Sequence, residues 1–303
     1  MKVLTALIKR NMKLFFKDKG MFFTSLITPA ILLVLYATFL ANVYRDSFMS
    51  ALPEGLKLAE ELIDGCVGTQ LISSILAVSC VTVAFCSNML MVQDKVNGSL
   101  KDLRMSPVNS SKLAFGYYFA TLISTLIICV VATILCLIYI YFVGWYLTFT
   151  DILLLLGDVF LLTMFGTALS SIINFFLSSQ GQISAVGTIV SSGYGFVCGA
   201  YMPISQFSEG LQNVIMFFPG TYGTSLLRNH AMRGVFAEMD SIGFPSEVVE
   251  GIKDSIDCNI YFFGEKVPIS LMYAVMGATV AVLIGVYILI NIISSKSKSN
   301  QHN

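Results

Sequence analysis

The sequence predicts an all-α integral membrane protein, and three observations carry that prediction. Of its 303 residues 56% are hydrophobic and only 12% charged, with a mean hydropathy of +0.79, whereas a soluble domain is about one-quarter charged. Uncharged apolar runs long enough to cross a hydrocarbon core of roughly 30 Å as helix recur along the chain. The charged residues that remain are sorted between alternate loops. Six runs qualify, at about 21–43, 66–92, 113–143, 152–177, 183–204 and 268–294. They lack the alternating polar residues that a barrel strand needs, so they are read as helices.

The first run is preceded by about twenty mixed residues and followed by no small-residue cleavage pattern, so residues 1–20 are expected to be kept. Leu4, Leu7, Ile8, Met12 and Phe15 recur at helical spacing, while Lys9, Lys13 and Lys17 lie four apart on another face. This is the pattern of an amphipathic interfacial helix with its lysines toward anionic headgroups. A basic flank that only fixes topology is the alternative.

Charge orients the runs. The amino-terminal segment, the segment 93–112 and the tail hold twelve of the eighteen Lys and Arg residues and three acids, Asp18, Asp94 and Asp102. Segments 44–65, 144–151 and 205–267 hold six basic residues and fourteen acids. The positive-inside rule then places both termini in the cytoplasm, in agreement with an even number of crossings.

Segment 205–267 follows the fifth run. It contains an apolar stretch, Leu211 to Thr224, broken at Pro219-Gly220, then a basic segment from Arg228 to Arg233 and an acidic one to Glu265. An apolar run shorter than a span and broken by proline reads as a re-entrant element or as an amphipathic loop on the bilayer.

Enzyme chemistry finds no support. The seven cysteines have no CxxC spacing, and five of them, Cys80, Cys86, Cys129, Cys136 and Cys198, fall in the interior of the runs, so a metal site is not expected. Cys66 and Cys258 both fall near the outer face, where a disulfide is possible. Two histidines, His230 and His302, and no GxxxxGK[ST], GxSxG or HExxH motif leave no catalytic residue to name. Asp158 is the acid inside a run. It either faces the bundle interior as a pathway contact for substrate or proton, or marks a later start of the fourth helix. Gly166, Ala168, Ser170 and Ser171, and the glycines and serines between Gly187 and Gly199, permit close helix packing against a neighbour or a second copy.

The segment 93–112, QDKVNGSLKDLRMSPVNSSK, joins the second and third runs. It carries Asp94, then Gly98, then Leu100 and Leu103 on one helical face, and Ser106-Pro107-Val108, where proline stops the helix. The result is a helical stub with an apolar edge.

This order resembles the first cytoplasmic loop of the permease subunits of ABC type-2 exporters. Six spans, the amino-terminal amphipathic helix, Met202-Pro203 at the end of the fifth run, and Pro219-Gly-Thr-Tyr222 followed by Arg228 resemble that family too. The chain departs from it at Val96-Asn97 and at Tyr117. The resemblance implies that Asp94, Gly98, Leu100, Leu103, Ser106 and Pro107 form a coupling helix for a separate ABC ATPase. Pro203, Pro219, Tyr222 and Arg228 would belong to the extracellular re-entrant element. It also implies a homodimer or heterodimer of permeases in the cytoplasmic membrane, with ATP and magnesium held by the ATPase. No cofactor or nucleic acid is expected on this chain. A channel or secondary carrier, and a membrane scaffold, are the alternatives.

Overall fold

The computed structural model describes residues 2–35, 38, 41, 42, 45, 59–106 and 108–299. The remaining residues, including Pro107 and the end of the first predicted run, lie outside the described residues.

The elements in order are α1 (Lys2–Lys17), α2 (Lys19–Leu35), α3 (Glu60–Val96), α4 (Ser99–Met105), α5 (Ser110–Val143), α6 (Phe149–Phe176), α7 (Gln180–Val197), a 3-10 turn (Ile204–Gln206), α8 (Glu209–Ile215), α9 (Pro219–Ser241), α10 (Ser246–Ser255), a hairpin of β1 (Tyr261–Phe262) and β2 (Glu265–Lys266), and α11 (Ile269–Ser299). Among the described residues α3, α5, α6 and α11 are long and apolar enough to cross a membrane. α1 and α2, bent by 75°, make a further crossing if taken together.

α3 is the hub: α2, α5, α6, α7 and α9 all pack on it, and Leu71 to Phe85 is buried without a break. Small residues bring α6 close. A Cβ on Gly166 would lie 2.9 Å from the Cys80 carbonyl oxygen of α3, so the two backbones meet where a side chain would separate them. Asn88 Nδ2 adds bonds to Ser170 Oγ (3.1 Å) and Ser171 Oγ (3.0 Å).

Two boundaries differ from the sequence reading for definable reasons. The fifth run ends at Val197 rather than 204, because Gly199 takes φ +73° and the amides of Ala200 and Tyr201 turn back onto the Gly195 carbonyl, a helix-ending arrangement that favours glycine. α7 also carries hydroxyls, and those of Ser184, Thr188 and Ser192 bond carbonyls four residues back, which satisfies them without a partner helix. The second run begins six residues early at Glu60, because charged residues continue a helix as readily as apolar ones.

Candidate functional site

At one end of the bundle α3 stops at Val96, and Gly98, at φ +81°, reverses the chain into α4. A β-carbon at that angle costs about 1–2 kcal/mol, which makes glycine the fitting residue. Leu100 of α4 is buried against Leu7 of α1, Met91 of α3, and Leu113 and Tyr117 of α5, with Leu103 and Val108 packed beside them. Burial of a leucine is worth roughly 1.5–3 kcal/mol, so a stub of seven residues is rooted in three longer helices. Ser106 is extended, as a residue before proline must be, and its hydroxyl bonds the Leu103 carbonyl at 2.6 Å.

Under the stub Asp94 is buried. Its Oδ2 accepts Arg10 Nη1 (2.6 Å) and Tyr117 Oη (2.6 Å), and its Oδ1 accepts Arg10 Nη2 (3.1 Å). A bidentate arginine and a phenol are the partners a buried carboxylate requires. They tie α1, α3 and α5 together directly beneath α4. Lys95, next in sequence, donates to the carbonyls of Asn174 (3.0 Å), Phe175 (2.5 Å) and Leu177 (3.1 Å) at the end of α6, a cation where the helix dipole is negative. Leu100 and Leu103 therefore point inward, while Lys101, Asp102 and Met105 are exposed.

The second constellation surrounds α9. Pro219 stands in its first turn, where the missing N–H breaks no helical bond. Tyr222 Oη bonds the Met216 carbonyl (2.8 Å) and Thr221 Oγ1 that of Ile215 (3.2 Å), fixing α9 to the end of α8. Arg228 is fully buried. It donates to Asp257 Oδ2 (3.0 Å), the Ile256 carbonyl (2.9 Å), the Gly199 carbonyl (2.5 Å) and Ser74 Oγ of α3 (3.2 Å). Asp257 Oδ2 also accepts the amide of Ile204, one residue past Pro203, at 2.7 Å. Burial pushes the Asp257 carboxyl up, against the pull of Arg228.

Two further pairs continue along α9. His230 Nδ1 lies 2.5 Å from Asp158 Oδ2, and Tyr273 Oη of α11 donates to Asp158 Oδ1 at 2.5 Å. Arg233 Nε meets Asp151 Oδ1 at 2.5 Å, the same carboxylate that caps α6 through Thr148. Asp158 is thus an interior residue of α6 with two partners. Cys66 and Cys258 are both buried free thiols, and burial raises the Cys258 thiol to about 12.

The residues the sequence reading singled out form two separate groups. Asp94, Gly98, Leu100, Leu103 and Ser106 gather at α4. Pro203, Tyr222 and Arg228 gather around α9, with Asp158 on its neighbouring flank. Arg10, Tyr117, Lys95, His230, Tyr273, Asp151 and Asp257 were missed. For His230 a signal existed: three cationic or titratable residues at 228, 230 and 233 in one helix need buried acids if that helix is enclosed.

A bundle of membrane-length helices with an exposed stub rooted across three of its helices defines a multi-pass membrane protein. Residues 2–231 match the model of the ABC-2 type transporter family, more than half of the chain, which therefore belongs to that family as a permease. No curated protein matches it. The match includes α4 and reaches α9 through Arg228 and His230.

Proposed function

We propose that the chain is the membrane-spanning permease subunit of an ATP-driven exporter. A separate ABC ATPase docks on α4, and a second permease, identical or related, completes the pathway. Both termini face the cytoplasm, six crossings are made, and α8 and α9 form the re-entrant element on the outer side. ATP and magnesium belong to the ATPase, and the cargo is of a class such exporters move: drug, peptide, lipid or polysaccharide. The observation that carries this reading is α4 itself. Its inward Leu100 and Leu103 are anchored on α1, α3 and α5, and its outward Asp102 and Met105, the latter 79% exposed, are open to a partner.

The test is reconstitution with the native ATPase partner. Gly98→Pro forces φ near −65° where +81° is needed, and Leu103→Asp places a charge in the anchor. Both should leave the protein inserted and abolish stimulation of ATP hydrolysis and transport. Normal stimulation in both variants refutes the assignment. The Asp158–His230–Tyr273 cluster favours a second reading, an ATP-independent secondary carrier, since buried titratable groups within a membrane often move protons. Native protein that transports without any nucleotide-binding partner would establish it.

A further inference from the structure

Beside α4 a cleft of about 330 Å³ opens between the stub, the end of α6 and α11, lined by Lys95, Lys101, Arg104, Phe175, Phe176 and Ser294 among others. Three cations and no acid line it. Lys95 is held in place by its three carbonyl bonds and by the Phe175 ring, 5.2 Å away. Lys101 and Arg104 form no ion pair among the described residues. The charges of Lys101 and Arg104, facing the same cavity, repel each other and are relieved by an anion.

The mouth of the cleft tells which kind of anion. Phe176 on its rim is 65% exposed, and an apolar ridge on α11, Leu289 (59%) and Ile293 (65%), runs up to Ser294 at its edge. α3, α6 and α11 are membrane-length helices, and the cleft lies where α3 and α6 end, so it sits at the level of the headgroups with the ridge facing acyl chains. Basic pockets between transmembrane helices at this depth bind phosphate headgroups.

We infer that this cleft is a binding site for the headgroup of an anionic phospholipid, its phosphate held by Lys101 and Arg104 and its chains laid along Leu289 and Ile293. The site goes beyond the ATPase-driven reading and does not depend on it, since lipid binding is read without any ATPase present.

The experiment is native mass spectrometry of the full chain titrated in detergent with phosphatidylglycerol or with phosphatidylcholine of the same acyl chains. Wild-type protein should retain phosphatidylglycerol preferentially. Lys101→Ala with Arg104→Ala should weaken that retention roughly 30-fold, about fivefold for each basic side chain, and leave phosphatidylcholine unchanged. The charge-preserving pair Lys101→Arg with Arg104→Lys should restore it, which separates loss of charge from loss of fold. Asp102→Ala, on the outward side of α4, should have no effect. Equal retention of the two lipids, or undiminished phosphatidylglycerol binding in the alanine pair, overturns the proposal. So does displacement of the lipid by inorganic phosphate alone, which would assign the cleft to a soluble anion.

Discussion

Arg228→Met tests whether the α9 constellation holds the fold. Methionine keeps the apolar stem and removes four donated bonds, to Asp257, Ile256, Gly199 and Ser74. Asp257 keeps the Ile204 amide but loses its cation while still buried. Breaking a buried pair from one side costs about 3–5 kcal/mol, and the individual bonds do not add beyond that because they share one group. The pH dependence has a definite sign. Burial already holds the Asp257 carboxyl above its ordinary value, and loss of Arg228 raises it further. A carboxyl raised in the folded state favours folding below its unfolded pKa, and that contribution is lost as pH rises through the folded value. The deficit of the variant should therefore be larger near about pH 8 than near about pH 5. The assay is unfolding by circular dichroism in mixed detergent and SDS micelles. Adding Asp257→Asn, which tolerates the φ of +56° at that position, should recover about half of the loss by removing the stranded charge. A variant within about 1 kcal/mol of wild type, or a deficit indifferent to both pH and Asp257→Asn, refutes the reasoning.

Three further expectations follow from single contacts. A Cβ on Gly234 would overlap the Tyr146 carbonyl oxygen; Gly234→Ala should cost at least the upper end of about 1–3 kcal/mol. Tyr146→Ala should not rescue it because the clash is with backbone, whereas Gly285→Ala, in open space on α11, should be neutral or slightly stabilising in the same unfolding assay. Arg10→Met leaves Asp94 with Tyr117 alone; because Arg10 is 30% exposed, the cost should fall to about 1–3 kcal/mol, read as faster tryptic cleavage at Lys9 and Lys13 of the folded protein. Glu250, on α10, is held at about 2 instead of 4.5 by Lys253, then Lys266, so its contribution is present above pH 4.5 and lost as pH falls toward 2. Half-exposed as it is, it contributes less than about 1 kcal/mol, and Glu250→Gln should flatten the acid limb of the unfolding curve.

Apolar length alone made the long helices legible: the runs at 113–143, 152–177 and 268–294 correspond to Ser110–Val143, Phe149–Phe176 and Ile269–Ser299. The start of α6 was legible more closely than it was read, since Thr148 and Asp151 stand in capping-box spacing and form that box. The stub at Ser99–Met105 followed from Gly98, the leucine pair and proline. The ion pairs were not legible. His230 and Asp158 are 72 residues apart and Arg10 and Asp94 are 84 apart, and no local pattern encodes which side chains face each other across packed helices. α9 was hidden for a related reason: its sequence is too polar to read as buried, and it becomes so because Arg228 and His230 each find a buried aspartate, while the exposed Arg233 pairs with Asp151 at its edge.

These two constellations share α3, and that decides how a displacement of α4 would spread. α3 is one continuous helix of 37 residues, about 55 Å long, with Asp94 beneath the stub and Ser74 in contact with Arg228 roughly 30 Å away. A push on α4 reaches α1 and α5 through Leu100 and Asp94, and α6 through Lys95. α9 is bound both to α3, through Ser74, and to α6, through Asp158 and Asp151. If α3 and α6 move together, α9 follows and no bond breaks. If they slide, one attachment must yield, and the bond from the Arg228 guanidinium to the uncharged Ser74 hydroxyl at 3.2 Å is weaker than the contacts of His230 and Arg233 with the carboxylates of Asp158 and Asp151 at 2.5 Å. α9 would then travel with α6 and part from α3. A disulfide engineered between α3 and α9 near Ser74 should therefore block a sliding mechanism, and leave a rigid-body one intact.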